Sequence, residues 1–475
     1  MTATPARDRA TPDAVGIRAE VTDLLRRLVA CDTSNPPGRE AHAAAILEDY
    51  LVDAGLECER VSKDPERPNL LVRLRGSGTG PSLAFLGHLD VVVARPEDWS
   101  VEPFAGIECD GAIWGRGTVD MKCQVAATAV ALATLAREGF EPGGDLMLLL
   151  VADEEVGDAE VGAPFFVEQR PDLNPDFVIG EGAGERFRSP SGPLYLFDHG
   201  VKATASATLT VRGRAGDASL PDAGPNALFE TARLLGRLEA YRSPVRIPPE
   251  VEPIIDGVAP GPGSPLDRLA SARAADPGLD RVLGALVGTT IHPTILEAPA
   301  PQNVIPEAAT VTLGCILLPG TTRADLEHEL RDALGDGDYE LEVVEPKGGL
   351  ISDPDTPLRG AIETFLAEHD PEARLIPALG YGFSDCHVLR EAYGCVAYGF
   401  IPFRHAEPMT NLETKHGVDE RVLVDDLVFQ TEAATSIARS IGRPNGRCAD
   451  TSRGRRRDPR HRGQPLSDPL ESEDA

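Results

Sequence analysis

No apolar run in this 475-residue chain approaches the roughly 18 residues that a membrane-spanning helix needs. The most apolar stretch, Leu146–Ala152, has the length of a strand. The N-terminal segment MTATPARDRATPDA lacks the apolar centre of a secretory signal. The 8 cysteines are scattered, without a Cys-x-x-Cys pair. They read as reduced thiols rather than a disulfide framework, and the expected compartment is the cytoplasm. Positive charge is scarce: 46 Lys and Arg face 76 Asp and Glu, a net charge of −30. That balance argues against a nucleic-acid partner, since phosphate binding needs a basic face. It also disfavours anionic membranes.

What is present is ordinary globular composition, 41% hydrophobic and 26% charged, with length for about two to four domains. Amphipathic helices are expected from Val15 to about Ala30 and from Arg39 to Ala54, the second stopping at Gly55. Strand-like runs follow at Asn69–Arg75, Ser82–Leu86 and Leu146–Ala152, with a helix of small residues at Gln124–Arg137. Alternating strands and helices indicate an α/β fold with a mostly parallel central sheet.

The texture changes near Gly200, where Ala203–Arg212 alternates as a strand with one wet face. The expected organisation is a loose N-terminus (1–14), a catalytic domain in two pieces (15–199 and 347–442), an inserted smaller α+β block (200–346) and a disordered tail (443–475). Six Arg between 453 and 462 belong to that tail and read as a solvated segment.

Chemistry-bearing residues gather at expected strand ends. His88 and Asp90 follow the run Ser82–Leu86, where side chains of parallel sheets face a ligand crevice. His88 can coordinate a metal while Asp90 orients its ring, although a buried histidine beside a turn aspartate has the same pattern. Asp120 follows Gly115 and Gly117 and stands before a helix, as a metal bridge or as a simple N-cap. Asp153-Glu154-Glu155 ends another apolar run, and Glu181 ends Phe177–Gly180. Adjacent glutamates diverge, so one can ligate while its neighbour holds a proton. His416 precedes the last helix. Two histidines and three carboxylates at element ends make a ligand set for a pair of zinc ions.

In order and context these motifs resemble the co-catalytic zinc hydrolases that include acetylornithine deacetylase, succinyl-diaminopimelate desuccinylase, aminoacylase-1, carnosinase-like dipeptidases and glutamate carboxypeptidase. The similarity runs from Thr33-Ser34-Asn35-Pro36-Pro37-Gly38 to Gly417 and includes Asn303-Val304-Ile305-Pro306 and Gly382-Phe383-Ser384-Asp385. The resemblance implies two zinc ions per chain, with cobalt able to substitute. His88 and Glu181 would hold one, Glu155 and His416 the other, and the Asp120 carboxylate would bridge them, with the Asp120–Met121 peptide cis. It further implies Asp90 as support for His88 and Glu154 as general base. The 200–346 block would be a lid that forms a homodimer contact, with Asn303 facing substrate.

Two positions depart from the family. Asp217 stands where relatives carry a lid histidine that steadies the oxyanion, a task an ionised carboxylate cannot perform. Ile316 stands where relatives carry an arginine for the substrate carboxylate. His199 and His292 lie nearby as replacement donors or as ordinary structural histidines. The expected activity is hydrolysis of the C–N bond of a small N-acyl amino acid or dipeptide. The rival expectation is a zinc-binding homologue with little or no hydrolase activity.

Overall fold

The computed structural model describes residues 14–157, 159–220 and 224–443. The outer segments, including the arginine cluster and Cys448, lie outside the described residues.

A nine-stranded sheet forms the larger layer. Its centre is parallel: Leu83–His88 lies between Leu146–Val151 and Phe177–Gly180, and Val396–Gly399 continues beside the latter. On one side Asn69–Leu74 and Glu57–Val61 continue the sheet antiparallel; on the other, Leu194–Val201 meets Val396–Gly399 antiparallel at Asp198 and pairs in parallel with Arg374–Gly380. Parallel strands are buried on both faces, and the sequence provides for it residue by residue. Leu83, Phe85, Leu146, Leu148 and Leu150 enter one core, while Ala84, Leu86, Met147, Leu149 and Val151 enter the opposite one. Helices Ala14–Val29, Lys122–Arg137, Pro357–His369 and Val424–Ile441 contribute to the first core. Ala163–Gln169 and Cys386–Tyr393 cover the other face.

A second sheet, antiparallel throughout, joins Thr290–Glu297, Ala308–Leu317, Ala203–Arg212 and Tyr339–Val343, with Lys347–Gly348 also paired to Ala203–Arg212. Ala309, Val311, Leu313, Cys315 and Leu317 alternate inward against helices Ala227–Ala240 and Arg323–Leu334. The latter helix starts on a capping box between Thr322 and Asp325.

The stretch after Pro244, rich in proline, forms three short helices. Helices Glu252–Val258, Pro265–Arg273 and Pro277–Leu286 each carry proline in the first turn, where its missing N–H costs nothing. Ile254, Ile255, Leu279 and Leu283 pack with Leu194, Leu196, Ile376 and Leu379 of the larger sheet. Among the described residues the cysteines are free thiols, and no helix is long and apolar enough to cross a membrane.

Candidate metal centre

The carboxyl ends of the parallel strands converge on one cluster of imidazoles and carboxylates. His88 ends its strand 2% exposed. Its Nδ1 lies 2.9 Å from the main-chain oxygen of Asp90 and its Nε2 lies 3.2 Å from Oδ1 of Asp120. With Nδ1–H directed at a carbonyl, Nε2 is the nitrogen free to face a metal. The Asp90 carboxylate stands 3.6 Å from Nδ1 and also accepts from other donors. Its Oδ1 accepts from the Glu154 main-chain N–H and its Oδ2 from that of Glu155, both at 3.1 Å, while Asn35 Nδ2 donates to Oδ2 at 2.9 Å. Asp90 therefore holds the loop that presents the two glutamates. Burial opposes its ionisation, yet these donors and His88 keep its carboxyl below the usual range.

Asp120 is delivered by a turn that Glu420 organises from 300 residues away in sequence. Glu420 is buried and accepts from the main-chain N–H groups of Gly117, Val119 and Asp120, besides pairing with Arg116. Gly117 adopts a positive φ of 87°, and a Cβ there would fall 2.7 Å from Val91, so the turn needs glycine. The Asp120–Met121 peptide is cis. Asp120 Oδ2 lies 3.0 Å from His416 Nε2, and His416 Nε2 lies 3.1 Å from Glu155 Oε2. The Lys415 ammonium lies 3.0 Å from Asp120 Oδ2 and 3.7 Å from Glu181 Oε2.

The electrostatics follow from this crowding. Burial works against ionisation of Asp120, but Lys415, His416 and His88 hold it well below the ordinary carboxylate range. Burial and then the neighbouring Glu181 push Glu154 well above its ordinary value. Burial and then Asp120 raise Glu181. Hydrogen bonds to Asp120 and Glu155 lift His416 to about 9.

These residues fit a metal pair. Ligand atoms of His88, Asp120 and Glu155 lie within 4.8 Å of one another, as do those of His88, Glu154 and Glu181. The buried Oε1 of Glu155 has no hydrogen-bond partner, which marks an acceptor awaiting a cation. The Lys415 ammonium, drawn between two carboxylates, supplies positive charge where a divalent ion would sit. Imidazole and carboxylate donors suit zinc.

Sequence reasoning left several contributors without a role. Asn35 donates to both Asp90 and Asp153 at 2.9 Å, and Arg67 joins Glu40 (2.8 Å) to Asp153 (3.3 Å) beneath the loop. Asp385 lines a small cavity with His88, Glu154 and Glu181, its Oδ2 buried without a partner. Burial and then Glu181 push its carboxyl up to about 8. Asp385 lay inside a motif of the sequence, but only the spatial neighbours of Asp385, Lys415 and Glu420 give them a purpose.

The two expected substrate contacts lie apart from this cluster. Asp217 and Asn303 meet on a short ribbon pairing Gly216–Asp217 with Val304–Ile305, and the Asn303 carbonyl accepts from the Ala218 N–H at 3.0 Å. Exposed Asp217 accepts from the N–H and hydroxyl of Ser219. Neither residue lines the two cavities beside the metal ligands. His199 is buried, its Nδ1 2.9 Å from the Ser352 carbonyl, and His292 is exposed on the outer strand of the second sheet.

A cleft of about 570 Å³ opens onto the cluster, lined by Asp120, Glu154, Glu155, Glu181, Lys415 and His416 together with Val156, Tyr381, Phe383 and Leu412.

Comparison with known proteins agrees with this geometry. The model of peptidase family M20/M25/M40 matches residues 84–440. Succinyl-diaminopimelate desuccinylase of Rhodospirillum rubrum is 30% identical over 448 residues, covering 89% of this chain and 97% of the relative. The Cereibacter sphaeroides desuccinylase is 33% identical over 418 residues, covering 84% and 93%. Among solved structures, human carnosine dipeptidase 1 aligns with a TM-score of 0.66 at 17% identity, covering 90% of this chain and 98% of that one. The di-peptidase Dug1p of Saccharomyces cerevisiae aligns at 0.68 and 13% identity, covering 91% and 99%. At such identities the structural likeness speaks for the fold.

Proposed function

The chain belongs to peptidase family M20/M25/M40 and is a metallo-hydrolase, and from that premise we propose that it cleaves the C–N bond of a small N-acyl amino acid or dipeptide with two zinc ions. The observation that carries this reading is the single cluster in which Asp120 touches His88 on one oxygen and His416 on the other, with Glu154 and Glu155 beside them. His88 and Glu181 would hold one metal, Glu155 and His416 the other, and Asp120 would reach both; cobalt would serve in the same donors. When bound, the pair supplies Lewis acidity and lowers the pKa of water.

The chain's own residues do the rest. Glu154, 3.9 Å from His88 Nε2, is placed to take a proton at its carboxylate and return it to the leaving nitrogen. Asp90 fixes Glu154 and Glu155 through their main-chain N–H groups, so that the two side chains diverge into different tasks. Val156, Tyr381, Phe383 and Leu412 give the cleft an apolar wall for an acyl or side-chain group. The relatives named desuccinylases support an amide substrate of this size. The outer strand Thr290–Glu297, with Ile295 and Leu296 exposed, supports a homodimer formed through the second sheet, and the proposed compartment is the cytoplasm.

A screen of N-acyl amino acids and dipeptides on zinc-loaded wild type and Glu154→Gln tests the proposal. Hydrolysis by wild type, lost in the variant, is expected. Two bound metals without hydrolysis of any member would instead favour the low-activity reading, for which Asp217 and Ile316 offer no oxyanion donor or carboxylate anchor.

A further inference from the structure

A buried lysine stands where the two sheets are joined. Among the described residues the chain passes between their layers four times: at Lys202, which alone separates strands Leu194–Val201 and Ala203–Arg212, and at 241–251, 287–289 and 349–356. Lys202 is 1% exposed. Its main-chain N–H donates to the Gly380 carbonyl of the larger sheet at 3.0 Å. The residues around it pair with the last passage, Ala203 with Gly348 and Gly200 with Ile351. Its ammonium donates to the carbonyls of Ala285 and Gly288, both at 2.7 Å. These lie at the end of helix Pro277–Leu286, where unpaired carbonyls and the helix dipole favour a cation.

The remaining passages are tied to the same place. The Arg246 N–H donates to the Val287 carbonyl at 2.7 Å, and the Thr289 N–H to Ser243 Oγ at 3.0 Å. The hydroxyls of Ser243 and Thr289 donate at 2.6 and 2.8 Å to Glu329, a buried carboxylate on helix Arg323–Leu334. Burial draws the Lys202 ammonium down to about 8, and Glu329 opposes that effect. A buried ammonium is costly unless its donors are used, and a methionine would fill similar space. What lysine adds is direction, through donors that specify how the passages meet. The joint bears on the cleft because Thr204, two residues on, lines both cavities beside the metal ligands. Ser206, Val344 and Lys347 line the larger of them together with Glu154 and Asp385. A turn at the joint therefore moves one wall of the cleft against the other.

We propose that Lys202 is a positioning residue for this enzyme: its ammonium clamps the passages into one joint and so sets the distance between the second sheet's wall of the cleft and the metal ligands. The clamp stands on the geometry of the joint. Its kinetic consequence rests on the hydrolase reading.

The test uses zinc-loaded full-length protein with nitroxides attached to p-acetylphenylalanine at Asp49 and His328. These are exposed positions on helix Ala41–Asp53 of the larger layer and helix Arg323–Leu334 of the second. Pulsed electron resonance reads the distance between them. Wild type is expected to give one narrow distribution. Lys202→Met should broaden it or move its centre by several Å, and Lys202→Arg, which can still donate to both carbonyls, should restore it. Ser243→Ala loosens the joint from its other side and should broaden the distribution too, which serves should Lys202→Met fold poorly. Elemental analysis should find the zinc content of every variant unchanged. On an N-acyl amino acid that wild type hydrolyses, Lys202→Met should lose about ten- to a hundredfold in kcat/KM well below its unfolding temperature, the scale of a misplaced cleft wall. A role in stability alone would lower the unfolding temperature and leave distances and kcat/KM as in wild type. That result overturns the inference, as does a wild type whose distribution is already broad. Absence of turnover in wild type would remove the hydrolase reading, and the distances would still decide on the joint.

Discussion

Replacing Glu420 by Gln removes one charge and almost no volume, so its consequences isolate the hydrogen bonding that presents Asp120. Oε1 of Glu420 accepts from the N–H groups of Val119 (2.6 Å) and Asp120 (3.0 Å), and Oε2 from that of Gly117 (3.0 Å) and from Arg116. A glutamine amide turns one of these oxygens into a donor. Whichever way it sits, two donors then face a donor. Breaking one side of a buried ion pair costs about 3–5 kcal/mol. Arg116, only 2% exposed, keeps the Gly417 carbonyl at 2.6 Å and the Trp99 ring at 5.1 Å, which places the expected loss near the lower end, about 3 kcal/mol. That is a large share of the roughly 5–15 kcal/mol by which folded proteins are stable. Urea unfolding of metal-free Glu420→Gln should show it, and zinc titration should show weakened uptake because the turn carrying Asp120 loosens. A variant within about 0.5 kcal/mol of wild type that takes up zinc equally well would refute this account of the turn.

Glu154→Gln should retain its metals and lose about two or more orders of magnitude in turnover, the range of general-base losses; loss of zinc from this variant, with retention by Glu155→Gln, would reverse the roles of the two neighbours. Metal uptake should release protons: His416 titrates at about 9 in the metal-free protein and must be neutral to ligate. Zinc affinity should therefore rise by about tenfold or more per pH unit between pH 6 and 8, and a flat profile in a metal-buffered titration would contradict it. The same raised value means that the stabilisation His416 gives the metal-free protein is complete below about pH 6.5 and is lost as pH climbs toward 9. Asp217→Ala should shift urea stability by no more than about 0.5 kcal/mol and leave the metal count unchanged, as suits an exposed side chain held by Ser219 alone.

Much of the fold was legible because its signals are local. Ala203–Arg212 has the bounds that alternation indicated, and the ligand candidates ended strands because apolar runs stop where polar chemistry begins. Three classes of feature were not legible. The helices between Glu252 and Leu286 start on prolines and are short, so their pattern reads as loop until the surface they cover is known. The parallel centre gives way to an antiparallel flank at Asn69–Leu74 and Glu57–Val61 because strand direction depends on connections that periodicity does not encode. The supports of the centre join distant positions, such as Asn35 with Asp153, 118 residues apart, and a single sequence carries no signal for such pairing. The same limit explains Asp90, whose partner in sequence was His88 but whose carboxylate serves the Glu154–Glu155 loop.

The central claim is that one cluster on the carboxyl edge of the sheet holds two metals through Asp120. Elemental analysis of zinc-loaded wild type and Asp120→Ala, each freed of excess metal by gel filtration, tests it most directly. The account predicts close to two zincs per wild-type chain and loss of most of both from the variant. A wild type that binds none, or an Asp120→Ala that still binds two, would contradict it.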